Sequence, residues 1–159
     1  MPAPSRALKS IEIDFDSFRH SIEKCRSAGD FDSAALREAY GAHGRLRERY
    51  RDEERGLTPC ERMALSKGFK HDHFSEGMMH FRHVSEHITR DRTTFTIWTP
   101  DNVPIKLPST ESSARAVFSS LCPTLIDVGG QAHRIDHLRW LDEMEKRIAE
   151  ALHTASLCD

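Results

Sequence analysis

Residues Lys70–Arg92, KHDHFSEGMMHFRHVSEHITRDR, carry five of the chain's ten histidines, and most of the stretch reads as one amphipathic helix. At about 100° per residue, Phe74, Met78, Phe81, Val84 and Ile88 fall within an arc of roughly 120°, the width of a core-facing stripe. His73, Glu76, His80, His83 and His87 share a flank of about 80° beside that stripe. A helix rises about 1.5 Å per residue, so His73 and His87 stand roughly 21 Å apart and no single ion reaches both. Neighbours three or four apart can share an ion: Glu76 with His80, His80 with His83, His83 with His87. The spacing defines a candidate site for zinc or another divalent transition metal, centred on His83 and His87. His80, Glu76 or a donor from another element, such as His133 or His137, would complete it. The competing reading is a helix border whose imidazoles lay ring carbons on the core edge and keep a nitrogen in water. Neither HExxH nor a paired CxxC is present to decide for metal.

Downstream of this helix the period changes. Phe95 and Ile97 alternate with Thr96 and Trp98, then Val103, Ile105 and Leu107 alternate again, with Pro100-Asp101-Asn102 as turn chemistry between them. Thr124–Val128 and Gln131–Ile135 flank Gly129-Gly130, a pair that a tight primed turn accepts. These patterns predict an α+β fold, helix-rich, with two β-hairpins at about 94–107 and 124–135 packed against helices. Between the hairpins, Ser109 or Thr110 caps a helix ending near Cys122-Pro123. After them, Asp136 caps a last helix with an apolar stripe of Leu138, Leu141, Met144, Ile148, Ala151 and Leu152.

Upstream, Thr58-Pro59-Cys60-Glu61 is a capping box with proline at the first helical position, the clearest local signal in the chain. Its helix runs to about Lys67, and Gly68 breaks it or bends it into the histidine helix. The helix before it has an apolar face of Leu36, Ala39, Tyr40, His43, Leu46 and Tyr50 after a cap at Asp30 or Asp32. Its outer face, Arg45 to Arg55, mixes both signs as solvated helices do. Ile11, Ile13 and Phe15 alternate like a short strand before Phe18, Ile22 and Cys25 take helical spacing. Residues 1–10 read as a flexible arm.

The 159 residues suit a single domain, and a net charge of -2 gives no overall attraction to nucleic acid or acidic lipid. Cys25, Cys60, Cys122 and Cys158 are widely spaced, the pattern of free thiols in the cytoplasm or another reducing compartment. No signal peptide or membrane span is visible. A nucleophile elbow and a phosphate-binding glycine loop are also missing from the sequence. What remains favours a small non-enzymatic assembly component or accessory subunit acting through protein–protein contacts, with a protein partner or a second copy of the chain. Trp98, Phe95 and Met79 are its candidate interface anchors. By analogy of size and layout, a virus particle or secretion machine would suit it. A metal-binding protein or metal-dependent enzyme using the histidine helix is the first alternative. A nucleic-acid or regulatory module using Arg45–Arg55 and Arg90–Arg92 is the second.

Overall fold

A computed structural model describes residues 3–27, 33–86, 94–108, 124–127, 132–134 and 136–159. The described residues contain five α-helices: α1 (Arg6–Ser27), α2 (Ser33–Glu53), α3 (Pro59–Ser66), α4 (His73–Glu86) and α5 (His137–Ser156). Helices α1 and α2 pack along each other, α3 lies on α5, α4 lies on α2, and α5 closes against α1.

The predicted α+β class is overturned, because the described core is helical. Leu8, Ile11, Phe18 and Ile22 from α1 meet Tyr40 and Leu46 from α2, Leu65 from α3, Met78 and Phe81 from α4, and Leu141, Met144 and Ile148 from α5. Only Leu57 and Phe69 join them from the connections between helices. Short extended segments, β1 (Thr94–Trp98), β2 (Pro104–Pro108), β3 (Thr124–Asp127) and β4 (Ala132–Arg134), lie side by side in that order. Their side chains, those of Trp98 and Pro104 apart, lie outside what is described, and the described core is drawn from the helices and the connections between them. Alternation shows that a segment suits extended backbone, and says nothing about whether the core rests on it.

Several local readings change with the class. Helix α1 starts at Arg6, where the Ser5 hydroxyl accepts from the Leu8 amide at 3.1 Å, so residues 6–10 are helical and not a flexible arm. Ile11 and Phe15 do not open with a strand. They sit one turn apart on the buried face, with Ile13 turned outward at 67 % exposure. Helical spacing continued through Phe18 and Ile22 outweighs three residues of alternation, because it buries a longer stripe. The caps at Asp30 or Asp32, and the helix after Ser109, lie outside the described residues.

Helix α3 begins where its box places it. Thr58 Oγ1 accepts from the Glu61 amide at 3.2 Å, and Glu61 Oε1 accepts from the Thr58 amide at 2.9 Å. Glu61 Oε2 also accepts from the Ser5 amide, tying the two helix starts together. Gly68 ends the turn beyond α3 because α5 passes too closely for a side chain: a Cβ there would lie 2.8 Å from the Ala151 Cβ. In α5, Asp136 accepts from the Arg139 amide as expected, but the buried stripe includes His137 and Trp140 while Leu138 is half-buried.

Cys60 at the start of α3 and Cys158 beyond the end of α5 form a disulfide, with Cα atoms 5.9 Å apart. This corrects the reading of four free thiols. Wide separation in sequence carried no information here, because the antiparallel seating of α3 on α5 brings position 60 to position 158. Cys25 is half-buried and not part of this bond.

Candidate functional site

The expected metal set lies largely outside the described residues: His73, His80 and His83 are on α4, but their side chains, like all of His87, are not described. Glu76, the carboxylate of that expected set, lies 3.0 Å from His71. Among the described residues no three His, Cys, Asp or Glu side chains come together in a metal-holding group. Of the expected interface anchors, Met79 is 42 % exposed, Trp98 is half-buried, and the Phe95 side chain is not described.

Helix α4 is nevertheless central, through its apolar side. Phe81 packs edge-on against the His137 ring at 5.1 Å and against Trp140 at 5.2 Å, and lies 5.1 Å from Tyr40. The Tyr40 hydroxyl is 2.7 Å from His137 Nδ1. Burial, with smaller contributions from Cys25 and Asp136, pushes the Tyr40 phenol well above its ordinary value. The phenol therefore keeps its proton, and the Tyr40 hydroxyl and His137 Nδ1 form a buried hydrogen-bonded pair. His137 does converge on the central helix, but as a hydrogen-bonded core residue.

The second buried imidazole differs. His43 is 0 % exposed, its ring 5.5 Å from Phe18, and neither ring nitrogen has a hydrogen-bond partner among the described residues. Burial, then the charges of Arg47 and Arg82, lowers its pKa to about 3. The ring is neutral at any ordinary pH, which lets two arginines sit beside it without a third positive charge.

Those arginines belong to a cleft of about 520 Å³ between the C-terminal half of α2 and helix α4. Its entry wall carries Gly44, Arg47, Glu48 and Arg51 from α2, with Glu54 just beyond; the facing wall carries Met79 and Arg82 from α4. The floor is Tyr50 stacked on Phe69, centroids 4.3 Å apart and nearly parallel. Gly44 makes the cleft possible. Arg82 crosses it so closely that a Cβ would lie 2.2 Å from the Arg82 Cδ. Arg82 is also held by Glu48 at 3.1 Å. Arg47 donates through Nη2 to the Phe69 carbonyl at 3.3 Å, while its Nη1 is buried without a partner. Burial pushes the Arg47 guanidinium below its ordinary value, against the pull of Asp72. Arg51 is exposed and has no ion pair among the described residues.

Sequence reading placed Arg47 and Arg51 on a merely solvated face, and missed the cleft. Its available signal was the run Tyr40-Gly41-Ala42-His43-Gly44 inside a helix, where small residues mark close approach by another element. The cleft offers charged hydrogen-bond donors, two rings and a thioether, which are groups for recognition. No family model, curated protein or solved structure matches this chain.

Proposed function

We propose that the protein is a small helical interaction module, an accessory or assembly component that acts by holding a protein partner. The supporting observation is the cleft between α2 and α4, where Arg47, Arg51 and Arg82 rim a floor of stacked aromatic rings. Arginine and aromatic side chains dominate the energetics of protein contacts. Nothing specific favours the metal or nucleic-acid readings over this one. No described helix is long and apolar enough to cross a membrane. The Cys60–Cys158 bond argues against the reducing compartment that cysteine spacing suggested, since such bonds persist in oxidising surroundings.

The reading is tested by gentle isolation of the protein at its natural level from its own cells, followed by sizing. A stable complex with one stoichiometric protein partner, well above the 18.2 kDa of the chain, is the expected result. Recovery at the mass of the bare chain, without a stoichiometric partner, would contradict it.

A further inference from the structure

We propose that the cleft between α2 and α4 is the docking site for an acidic segment of the partner, one carboxylate side chain followed by an apolar one. This rests on the interaction-module reading and adds the chemistry of what is held. Charge decides between ligand classes. The cleft has three arginines and a histidine, His71, against Glu48 and Glu54; Arg82 is already engaged by Glu48, and His71 lies 3.0 Å from Glu76. The surplus is one positive charge, centred on exposed Arg51 with Arg47 behind it. A single carboxylate meets that surplus, and Arg51 can donate to both of its oxygens. A polyphosphate or nucleic-acid strand would bring further negative charges against the two glutamates, so the observations favour a protein segment.

Shape and surface agree. Tyr50 and Phe69 present a stacked pair at the floor, and Met79, 42 % exposed, adds an unbranched thioether that conforms to varied apolar side chains. An acidic residue with an apolar neighbour fills both halves, with the carboxylate at Arg51 and the apolar group over Tyr50 and Met79.

The test is titration of the nitrogen-15-labelled full chain with the acetylated, amidated tetrapeptide EFEL, with KFKL and inorganic phosphate as comparisons, followed by nuclear magnetic resonance. Saturable shifts at Gly44, Arg51, Met79 and Arg82, with a dissociation constant of about 1 mM or tighter, are expected for EFEL. Arg51→Glu should weaken binding by about tenfold or more, while the rest of its spectrum stays as in the parent protein. Equal binding of KFKL, phosphate binding at these residues as tightly as EFEL, or no saturation by about 10 mM EFEL overturns the proposal. If EFEL fails while the native protein still carries a stoichiometric partner, the module reading stands and the cleft assignment falls.

Discussion

Helix α2 has a cleft on each side, and both are lined by arginine and carboxylate side chains. The one toward α4 has Arg47, Arg51 and Arg82 with two glutamates over an aromatic floor. The one toward α1, about 410 Å³, has Arg45 and Arg49 with Asp14, Glu48 and Asp52, and Ser17 and Ala42 between them. In the second cleft Arg49 donates to Asp14 at 3.1 Å and lies 3.7 Å from Glu53 beyond the cleft, and two arginines face three carboxylates. The first keeps a positive surplus and has an aromatic surface to offer. The alternating signs that look uniform along Arg45–Arg55 are thus sorted by the fold into one face where carboxylates outnumber arginines and one where arginines outnumber carboxylates. The difference lies in what faces α2 on each side, which a helical wheel of α2 alone does not contain.

The largest effect that would sharpen this contrast is on acid stability. His43 lies behind the first cleft with Arg47 and Arg82, whereas Ala42 lines the second. Its folded pKa of about 3 is below the ordinary 6.5, so between these values the unfolded chain binds more protons and stability rises with pH. The contribution is complete above pH 6.5 and is lost as pH falls toward 3. Its slope approaches about 1.4 kcal/mol per pH unit, for a total on the order of 4 kcal/mol. Denaturant unfolding from pH 7 to pH 4 should show this slope in the parent protein and a much flatter one in His43→Leu. Parallel curves would mean that the ring has a partner or is reached by solvent.

Gly44→Ala should separate the first cleft from the fold. Replacing glycine inside a helix gains about 0.5–1 kcal/mol, and moving Arg82 away from the new methyl group loses an exposed ion pair of similar size. Stability should therefore change by less than about 1 kcal/mol while EFEL binding is lost. A variant that binds as before would show that Arg82 need not lie across Gly44. The smallest effect belongs to the second cleft. Asp14→Ala removes the exposed pair with Arg49 and should leave the thermal unfolding midpoint nearly unchanged, with EFEL binding unchanged. A marked drop in that midpoint would contradict the description of the pair as a solvent-screened surface contact.

What the sequence revealed was what local chemistry dictates. Thr58 and Glu61 announce a helix start because both partners of the bond lie within four residues, and Asp136 does the same for α5. The stripe of Phe74, Met78 and Phe81 was legible because one helix face faces one core. The fold class was not, because alternation at 94–107 reports local backbone preference while the core depends on which elements meet. The disulfide and the cleft were hidden for the same reason: Cys60 finds Cys158 through the seating of α3 on α5, and Arg82 reaches Gly44 from another helix. The histidines drew attention by number. The two whose surroundings are described and buried, His43 and His137, lie on other helices: His137 faces the Tyr40 hydroxyl, and His43 has the charges of Arg47 and Arg82 near it.

The most direct measurement compares two charge reversals on the same helix, Arg51→Glu in the first cleft and Arg45→Glu in the second, by the amount of partner that each retains on isolation from the protein's own cells. Both residues are exposed, so both variants should fold alike. Loss of the partner with Arg51→Glu, and retention within about twofold with Arg45→Glu, is the predicted result. Retention by both, or loss with Arg45→Glu alone, would contradict the claim that the face toward α4 is the working surface.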